Sequence, residues 1–312
     1  MIPVVDFTPY CLENKREEAD PEQIKSLANQ ICNAFTDVGF VYLKHHGIPK
    51  SKVDGIFSLS KEFFQKPVEI KEKYAKSSHH DVMNNRGWVA LEKELLNPER
   101  PADPKEAFNY QLIDDKETLP NDILPSFQGV YSDFYKHCQE LVCRVLDLMS
   151  MGLNIDTDYF RKCHSLIGKE GNPTTLRSLY YPPLNNGVKP GQIRCGEHTD
   201  YGTVTLLFQD EIGGLEVKPA GSDYIPARPI PDTVLVNLGD KMQRWTADKL
   251  VATKHRVLIP EEEIKKNQGR QSFAFFVHPD DHVMIECLDN SNKYEPVSSK
   301  HYLNMRFAAT YL

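Results

Sequence analysis

The chain has 312 residues, of which 40% are hydrophobic and 26% are charged, and its formal net charge is −7 at pH 7. The negative charge and the lack of any block of basic residues exclude broad attraction to nucleic acid or to an anionic membrane. We therefore expect one elaborated globular domain that acts on small molecules.

The N-terminal sequence MIPVVDFTPY has no basic stretch followed by a long apolar core, and no run of eighteen apolar residues occurs anywhere in the chain. We expect a soluble, cytoplasmic monomer with no membrane partner. The cysteines are odd in number, scattered and without C-x-x-C spacing, which predicts reduced thiols rather than a disulfide framework or a zinc site. They are Cys11, Cys32, Cys138, Cys143, Cys163, Cys195 and Cys287.

The first half of the chain predicts helices and short strands in alternation. Residues 2–7 and 40–43 favour strands, and apolar residues three to four positions apart predict helices from Pro21, over 50–75 and over 126–153. The segment 76–125 is rich in Asn, Pro and charge and is expected to be irregular. Its aromatic residues Trp88, Phe108 and Tyr110 argue for a functional loop.

After residue 170 short β-branched or aromatic runs follow one another between Gly, Pro and Asn. About eight strands are predicted, which favours an all-β sandwich or jelly roll. The runs are TTLRSLYY, QIRCGEH, GTVTLLFQ, GLEVKP, TVLVNLG, ATKHRVLI, QSFAFFVH and HVMIEC. A last helix is expected near 298–312.

One stretch of this β region carries candidate metal ligands. His198 and Asp200 stand two residues apart at the end of a predicted strand, and His255 lies in another apolar run. Two histidines and one carboxylate form the facial triad of non-haem Fe(II) enzymes, although a turn aspartate beside a surface histidine is the alternative. His45 and His46 are adjacent and would point to opposite faces of a strand, so a structural role is expected for both.

Several motifs in order resemble the Fe(II)- and 2-oxoglutarate-dependent dioxygenases of the isopenicillin N synthase-like group. The likeness covers nearly the whole chain. The motifs are IPVVDF, AFTDVGFVYLKHHGIP, YYPPL, EHTDYGTVTLLFQD, GGLEV, VNLGDKMQRWTADKLVATKHRV and RQSFAFF. The resemblance implies a mainly β fold with flanking helices around a double-stranded β-helix core. It divides the chain into a mixed N-terminal region at 1–170, the catalytic core at 171–290 and a C-terminal segment at 291–312, packed as one unit.

The resemblance also implies the cofactors and their residues. Fe(II) would be held by His198, Asp200 and His255, which leaves three adjacent sites for a bidentate 2-oxo acid and O2. The far carboxylate of 2-oxoglutarate would meet the planar fork of Arg270 and the hydroxyl of Ser272, two positions apart on one strand face.

Two departures from the family pattern bear on these assignments. Tyr181 matches a tyrosine that reaches the co-substrate in many relatives, but Leu179 stands where those relatives often have asparagine. The insertion EEEIKKNQG before Arg270 is polar and predicts a surface loop.

Substrate contacts are expected from Tyr110, Arg86, Arg194 and Phe276. In an unbroken strand Gln192, Arg194, Gly196 and His198 would share one face, so Arg194 would read a substrate carboxylate on the metal side. The alternatives are a bulge at Gly196 that turns Arg194 outward, and an ion pair of Arg194 with Glu197 or Glu216.

The implied reaction oxidises an unactivated C–H bond of a small metabolite, by hydroxylation, desaturation or ring closure, as in secondary metabolism. Two alternatives remain open. The first is an oxidase that uses no 2-oxoglutarate, like isopenicillin N synthase or aminocyclopropane-carboxylate oxidase. The second is a catalytically silent binding protein on the same scaffold, which would be expected to lack a metal ligand.

Overall fold

A computed structural model describes residues 1–76, 85–94, 100–112, 119–183, 189–259 and 268–310. Most of the insertion EEEIKKNQG, residues 261–267, lies outside these ranges, so its prediction as a surface loop stays a prediction. None of the helices in the described ranges is long and apolar enough to cross a lipid bilayer.

The predicted helices form, with one division. Helix α1 begins at Pro21, where the side chain of Asp20 accepts a hydrogen bond from Gln23 N at 2.9 Å and caps the first turn. The predicted helix over 50–75 ends at Phe64 and resumes after Pro67, because proline lacks the amide hydrogen that a continuous helix needs. The helices are α1 (Pro21–Asp37), α2 (Lys50–Phe64), α3 (Val68–Lys71), α4 (Phe127–Gly152), α5 (Tyr159–Cys163), α6 (Asp240–Trp245) and α7 (Ser299–Thr310).

The strands form two facing sheets and a small hairpin. The large sheet has eight strands in the order β1-β2-β10-β7-β12-β5-β4-β3, and the smaller one has four in the order β6-β11-β8-β9. The hairpin is β13-β14. The strands are β1 (Val4–Asp6), β2 (Phe40–Lys44), β3 (Gly87–Val89), β4 (Glu106–Tyr110), β5 (Thr175–Tyr181), β6 (Cys195–His198), β7 (Val204–Gln209), β8 (Leu215–Lys218), β9 (Ile225–Pro226), β10 (Thr233–Leu238), β11 (Lys254–Val257), β12 (Arg270–Val277), β13 (Met284–Ile285) and β14 (Val297–Ser298).

The large sheet buries different side chains on its two faces. Along β12, Phe273, Phe275 and Val277 pack into the main hydrophobic core on the helix side. Their neighbours Ser272, Ala274 and Phe276 point the other way and line cavities between the sheets, as the two-residue period of a strand requires. The predicted jelly-roll core with flanking helices is confirmed.

The segment 76–125 is not wholly irregular, because it supplies β3 and β4 at the edge of the large sheet. Trp88 and Phe108 are buried there: Trp88 Nε1 donates to Glu106 Oε2 at 2.8 Å, and the Phe108 ring packs 5.1 Å from that of Phe63. Trp88 and Phe108 are therefore core residues, whereas Asn85, Glu94, Lys105 and Asn109 of the same segment line a cavity.

Candidate functional site

The structure brings the three candidate metal ligands together. His198 ends β6 and lies directly opposite His255 on β11, and Asp200 follows two residues later. The distance from Asp200 Oδ1 is 3.8 Å to His198 Nε2 and 3.7 Å to His255 Nε2. Each residue offers one ligand atom, and these atoms all lie within 4.8 Å of one another. Two imidazole nitrogens and one carboxylate oxygen on one side suit Fe(II).

Hydrogen bonds engage Nδ1 of each imidazole and leave Nε2 to bind a metal. His198 Nδ1 lies 2.8 Å from Gly196 O, and His255 Nδ1 lies 3.1 Å from Thr253 O. A carbonyl oxygen only accepts, so both Nδ1 atoms carry hydrogen and both Nε2 lone pairs face Asp200. Burial, together with the neighbouring His198, lowers the pKa of His255, which keeps its ring in the neutral form that binds metals.

Hydrogen bonds also orient the carboxylate of Asp200. Its Oδ2 accepts hydrogen bonds from Thr205 Oγ1 at 2.6 Å and from Asn237 Nδ2 at 2.7 Å, which leaves Oδ1 for a metal. Sequence reasoning missed both partners. The available signal was a single amide, Asn237, within the otherwise apolar strand sequence TVLVNLG.

Two glycines allow the backbone around Asp200 to pack closely. A Cβ on Gly202 would lie 2.3 Å from Val277 O, and one on Gly239 would lie 2.7 Å from Asp200 O. Any larger residue would therefore push the turn that carries Asp200 away from β12 or from the start of α6.

A cavity beside the triad leads to Arg270 and Ser272. Arg270 is buried, and its guanidinium donates to Gly213 O at 2.9 Å, to Ser272 Oγ at 3.1 Å and to Gln209 Oε1 at 3.4 Å. In the described ranges no carboxylate oxygen lies within 4.0 Å of this guanidinium, so a ligand carboxylate would complete its environment. Tyr181 lines the same cavity, opposite Arg270 in the strand register.

Arg194 lies close to Arg270 and Tyr181, whereas the sequence predicted that it shares a strand face with His198 on the metal side. The strand β6 begins only at Cys195, and the pairing of β6 with β11 shifts register between His255 and Val257, so an unbroken strand over 192–198 is wrong. Arg194 is fully buried, with its guanidinium 5.1 Å from the centre of the Tyr181 ring, and Arg270 stands 5.2 Å from the same ring.

Glu197 and Glu216, the two carboxylates considered as partners of Arg194, form ion pairs with other arginines. Glu197 pairs with Arg100 at 2.7 Å, and Glu216 pairs with Arg256 at 2.8 Å. Burial, followed by the charge of Arg270, lowers the pKa of Arg194 to about 9. Positive charge is thus concentrated around Tyr181.

A second, larger cavity opens on the other side of the triad. Strands β4, β5 and β12, the turn after β6 and helix α7 all contribute to its wall. Leu179, Tyr181, Cys195 and Phe276 line both cavities, together with two ligands of the triad. The remaining residues of the larger wall are Asn85, Glu94, Lys105, Asn109, Pro173, Thr175, Arg177, Thr199, Tyr201, Gly202, His278, Leu303 and Phe307.

Charged side chains in the wall of the larger cavity form a buried network. Arg177 Nη2 lies 2.5 Å from Glu94 Oε2, and Lys105 Nζ lies 2.7 Å from Asp103 Oδ2 and 3.6 Å from Glu94 Oε2. Burial acts to raise the pKa of Glu94, but the charges of Arg177 and Lys105 outweigh it and hold that pKa at about 2. The wall therefore presents ionised groups of both signs.

The predicted substrate residues are only partly placed in this wall. Phe276 lines both cavities. Tyr110 is instead buried in the aromatic core, with its ring 5.5 Å from that of Tyr131, and its substrate contact stays a prediction. Arg86 is half-buried beside Asn85, which does line the larger cavity.

The sequence matches two family models in these regions. Residues 2–126 match the N-terminal model described as non-haem dioxygenase in morphine synthesis, and residues 173–279 match the 2OG-Fe(II) oxygenase superfamily. The second match contains all three residues of the triad and the Arg270–Ser272 pair.

Known proteins and solved structures are similar to this chain over nearly its whole length. A 2-oxoglutarate-dependent dioxygenase of Aspergillus rugulosus is 31% identical and a proline hydroxylase of Petromyces alliaceus is 32% identical, over 99% and 98% of this chain and the same shares of theirs. A full-length Neurospora crassa protein, crystallised in complex with alpha-KG and thymine, is 32% identical with a TM-score of 0.85, over 99% of this chain and 96% of that one. The chain therefore belongs to the Fe(II)- and 2-oxoglutarate-dependent dioxygenases of the isopenicillin N synthase-like type.

Proposed function

We propose that His198, Asp200 and His255 hold the Fe(II) of this dioxygenase, and that Arg270, Ser272 and Tyr181 hold the 2-oxoglutarate. One observation carries the proposal. The two Nε2 atoms and Asp200 Oδ1 converge, while the remaining polar atoms of the three side chains are occupied by hydrogen bonds within the protein.

Bound Fe(II), together with 2-oxoglutarate and O2, supplies the chemistry that removes hydrogen from an unreactive C–H bond. The protein's own residues orient the reactants. Arg270 and Ser272 bind the far carboxylate as a two-point donor, and Arg194 adds positive charge behind Tyr181. The substrate assignment of Arg194 is thus replaced by a role at the co-substrate end.

We further propose that the larger cavity holds a small polar substrate. Phe276 and Leu303 add apolar side chains to its wall, while Arg177 and Glu94 offer charges of both signs. Asn109 Oδ1 is buried without a hydrogen-bond partner among the described residues, so it is available to a substrate N–H. The proline hydroxylase and the thymine-bound structure among the relatives support a substrate of this size and polarity.

Anaerobic titration with Fe(II), with and without 2-oxoglutarate, tests the ligand assignment. We expect the visible charge-transfer band of an Fe(II)–2-oxoglutarate chelate in the natural protein and its loss in His255→Ala. The matched control is His45→Ala, since His45 directly follows β2 but is exposed, and its Nδ1 lies 3.0 Å from Asp6 Oδ1.

Circular dichroism would establish that His255→Ala keeps its fold. A full band in His255→Ala would show that His255 is not a ligand. Iron-dependent O2 consumption that is indifferent to 2-oxoglutarate would favour the oxidase alternative instead.

A further inference from the structure

Helix α6 places a lysine in the interior beside the larger cavity. Lys241 is 0% exposed, and its Nζ lies 2.8 Å from Ser299 Oγ and 3.3 Å from His278 Nδ1. Among the described residues no carboxylate oxygen lies within 4.0 Å of this amine. A buried ammonium group without an ion-pair partner is destabilising, so stability does not explain its presence.

The hydrogen bonds of this amine have a definite direction. Ser299 Oγ donates its only hydrogen to Pro279 O at 2.9 Å, so it accepts from Lys241. Below about pH 7 the amine is an ammonium group, which only donates, and His278 Nδ1 therefore accepts as well. Since burial, followed by the charge of Lys241, lowers the pKa of His278, its ring is neutral and its hydrogen is on Nε2.

His278 continues the row of β12 side chains that face the cavities. It follows Ala274 and Phe276 at two-residue spacing and belongs to the wall of the larger cavity. Its backbone N donates to Thr174 Oγ1 at 3.1 Å, which fixes the end of the strand. Within the described part of the chain, His278 Nε2 has no hydrogen-bond partner.

We propose that Lys241 holds His278 as the Nε2–H tautomer, and that His278 donates this hydrogen to an oxygen of the substrate, a carboxylate or a carbonyl. The proposal rests on the proposed function, because it takes the larger cavity as the substrate chamber. Lys241 is a positioning residue, and His278 determines specificity. The positive charge behind the imidazole favours an oxygen that carries negative charge.

Two other ionisable groups, Asp281 and His164, lie close to this pair, and Asp281 Oδ1 is buried without a hydrogen-bond partner among the described residues. Asp281 is the carboxylate that acts on Lys241, and it pairs with Lys300 at 3.4 Å. His164 hydrogen-bonds to Phe160 O through Nδ1 and to Thr203 Oγ1 through Nε2, at 2.6 and 2.9 Å. Neither side chain takes the place of Lys241 at His278 Nδ1.

Nitrogen NMR of the full chain, labelled with 15N-histidine and loaded with Zn(II) and 2-oxoglutarate, tests the tautomer. His278→Gln assigns the resonances. We expect protonated Nε2 and bare Nδ1 in the natural protein, and a mixture of tautomers in Lys241→Met. The control Lys249→Met removes an exposed lysine of the same region and should leave His278 unchanged. A protonated Nδ1 in the natural protein, or no change in Lys241→Met, would overturn the assignment.

Titration of the same sample with acetate and, separately, with acetamide tests the donation. Either oxygen acceptor should shift the His278 Nε2–H resonance downfield, and a larger effect of acetate identifies a carboxylate rather than a carbonyl. No shift with either compound overturns the proposal. These readouts need no turnover, so they fail independently of the iron and 2-oxoglutarate assignments.

Discussion

At the level of single residues, the metal site depends on a side chain that does not bind metal. Asn237 Nδ2 donates to Asp200 Oδ2 at 2.7 Å. Asn237→Ala should lower iron affinity by about 10- to 100-fold, the usual effect of removing such a supporting hydrogen bond. Competition with a colorimetric chelator measures the affinity. The control is Asn109→Ala, which removes a buried amide of the cavity wall with no bond to the triad; an equal loss there would contradict a specific role of Asn237.

Arg270 allows a second comparison at this scale. Arg270→Leu removes the guanidinium that we propose to bind the co-substrate carboxylate, and we expect 2-oxoglutarate binding to weaken by about 2–5 kcal/mol. Arg270→Lys keeps the charge but loses the planar geometry, so its loss should be smaller. Isothermal titration of the metal-loaded protein with 2-oxoglutarate measures both. Unchanged affinity in Arg270→Leu would place the carboxylate elsewhere.

The sequence was informative where chemistry and spacing coincide. His198 and Asp200 lie two positions apart, and so do Arg270 and Ser272. Residues this close in sequence stay close in space whatever the rest of the fold is. Asn109 and Lys105 reach the cavity only through the pairing of β4 with β5, which no local pattern specifies. Arg194 was misplaced because β6 starts one residue after it.

At the level of elements, helix α6 carries Lys241, and the titration of this lysine should change the free energy of unfolding with pH. Burial lowers the pKa of Lys241 from 10.5 to about 7. Between these values the unfolded chain binds more protons than the folded one, so this lysine makes stability rise with pH there. Below about pH 7 the amine is charged in both states and the folded protein bears the whole penalty.

Lys241→Met has no such titration, so its stability relative to the natural protein should be greatest at about pH 6 and should decline towards about pH 10. Urea unfolding of both proteins across this range measures the difference. Parallel stability curves would show that the amine is not desolvated in the folded state.

Secondary structure was predictable to different degrees for different elements. The helix over 126–153 was clear, because a 26-residue amphipathic repeat has few alternatives. Strands β3 and β4 were missed in a segment dominated by Asn, Pro and charge, since their pairing with β5 outweighs local preference. Helix α6 was not predicted. It begins directly after Gly239, and this glycine indicated only the end of the strand TVLVNLG.

At the level of the whole molecule, the predicted division at residue 170 crosses a continuous sheet. Strands β2 and β4 come from the N-terminal region, and they pair with β10 and β5 of the predicted core. A fragment of residues 171–312 would expose both strand edges and the apolar face that α4 covers. We expect it to aggregate or to lack a cooperative transition, whereas the full chain should unfold in one step.

Calorimetry and circular dichroism of the full chain and the fragment check this expectation. Two separate transitions in the full chain, or a cooperatively folded fragment, would establish independent units on either side of residue 170.

The two cavities share part of their walls, and the larger one also takes residues from two stretches outside residues 171–290. The proposed metal ligands lie on β6, in the turn after it and on β11, whereas Glu94, Lys105 and Asn109 come from the N-terminal region and Leu303 and Phe307 from the last helix. We expect mutations in those outlying stretches to change the substrate preference while leaving the proposed Fe(II) and 2-oxoglutarate residues intact. The same two stretches are therefore the place to begin a redesign of the substrate preference.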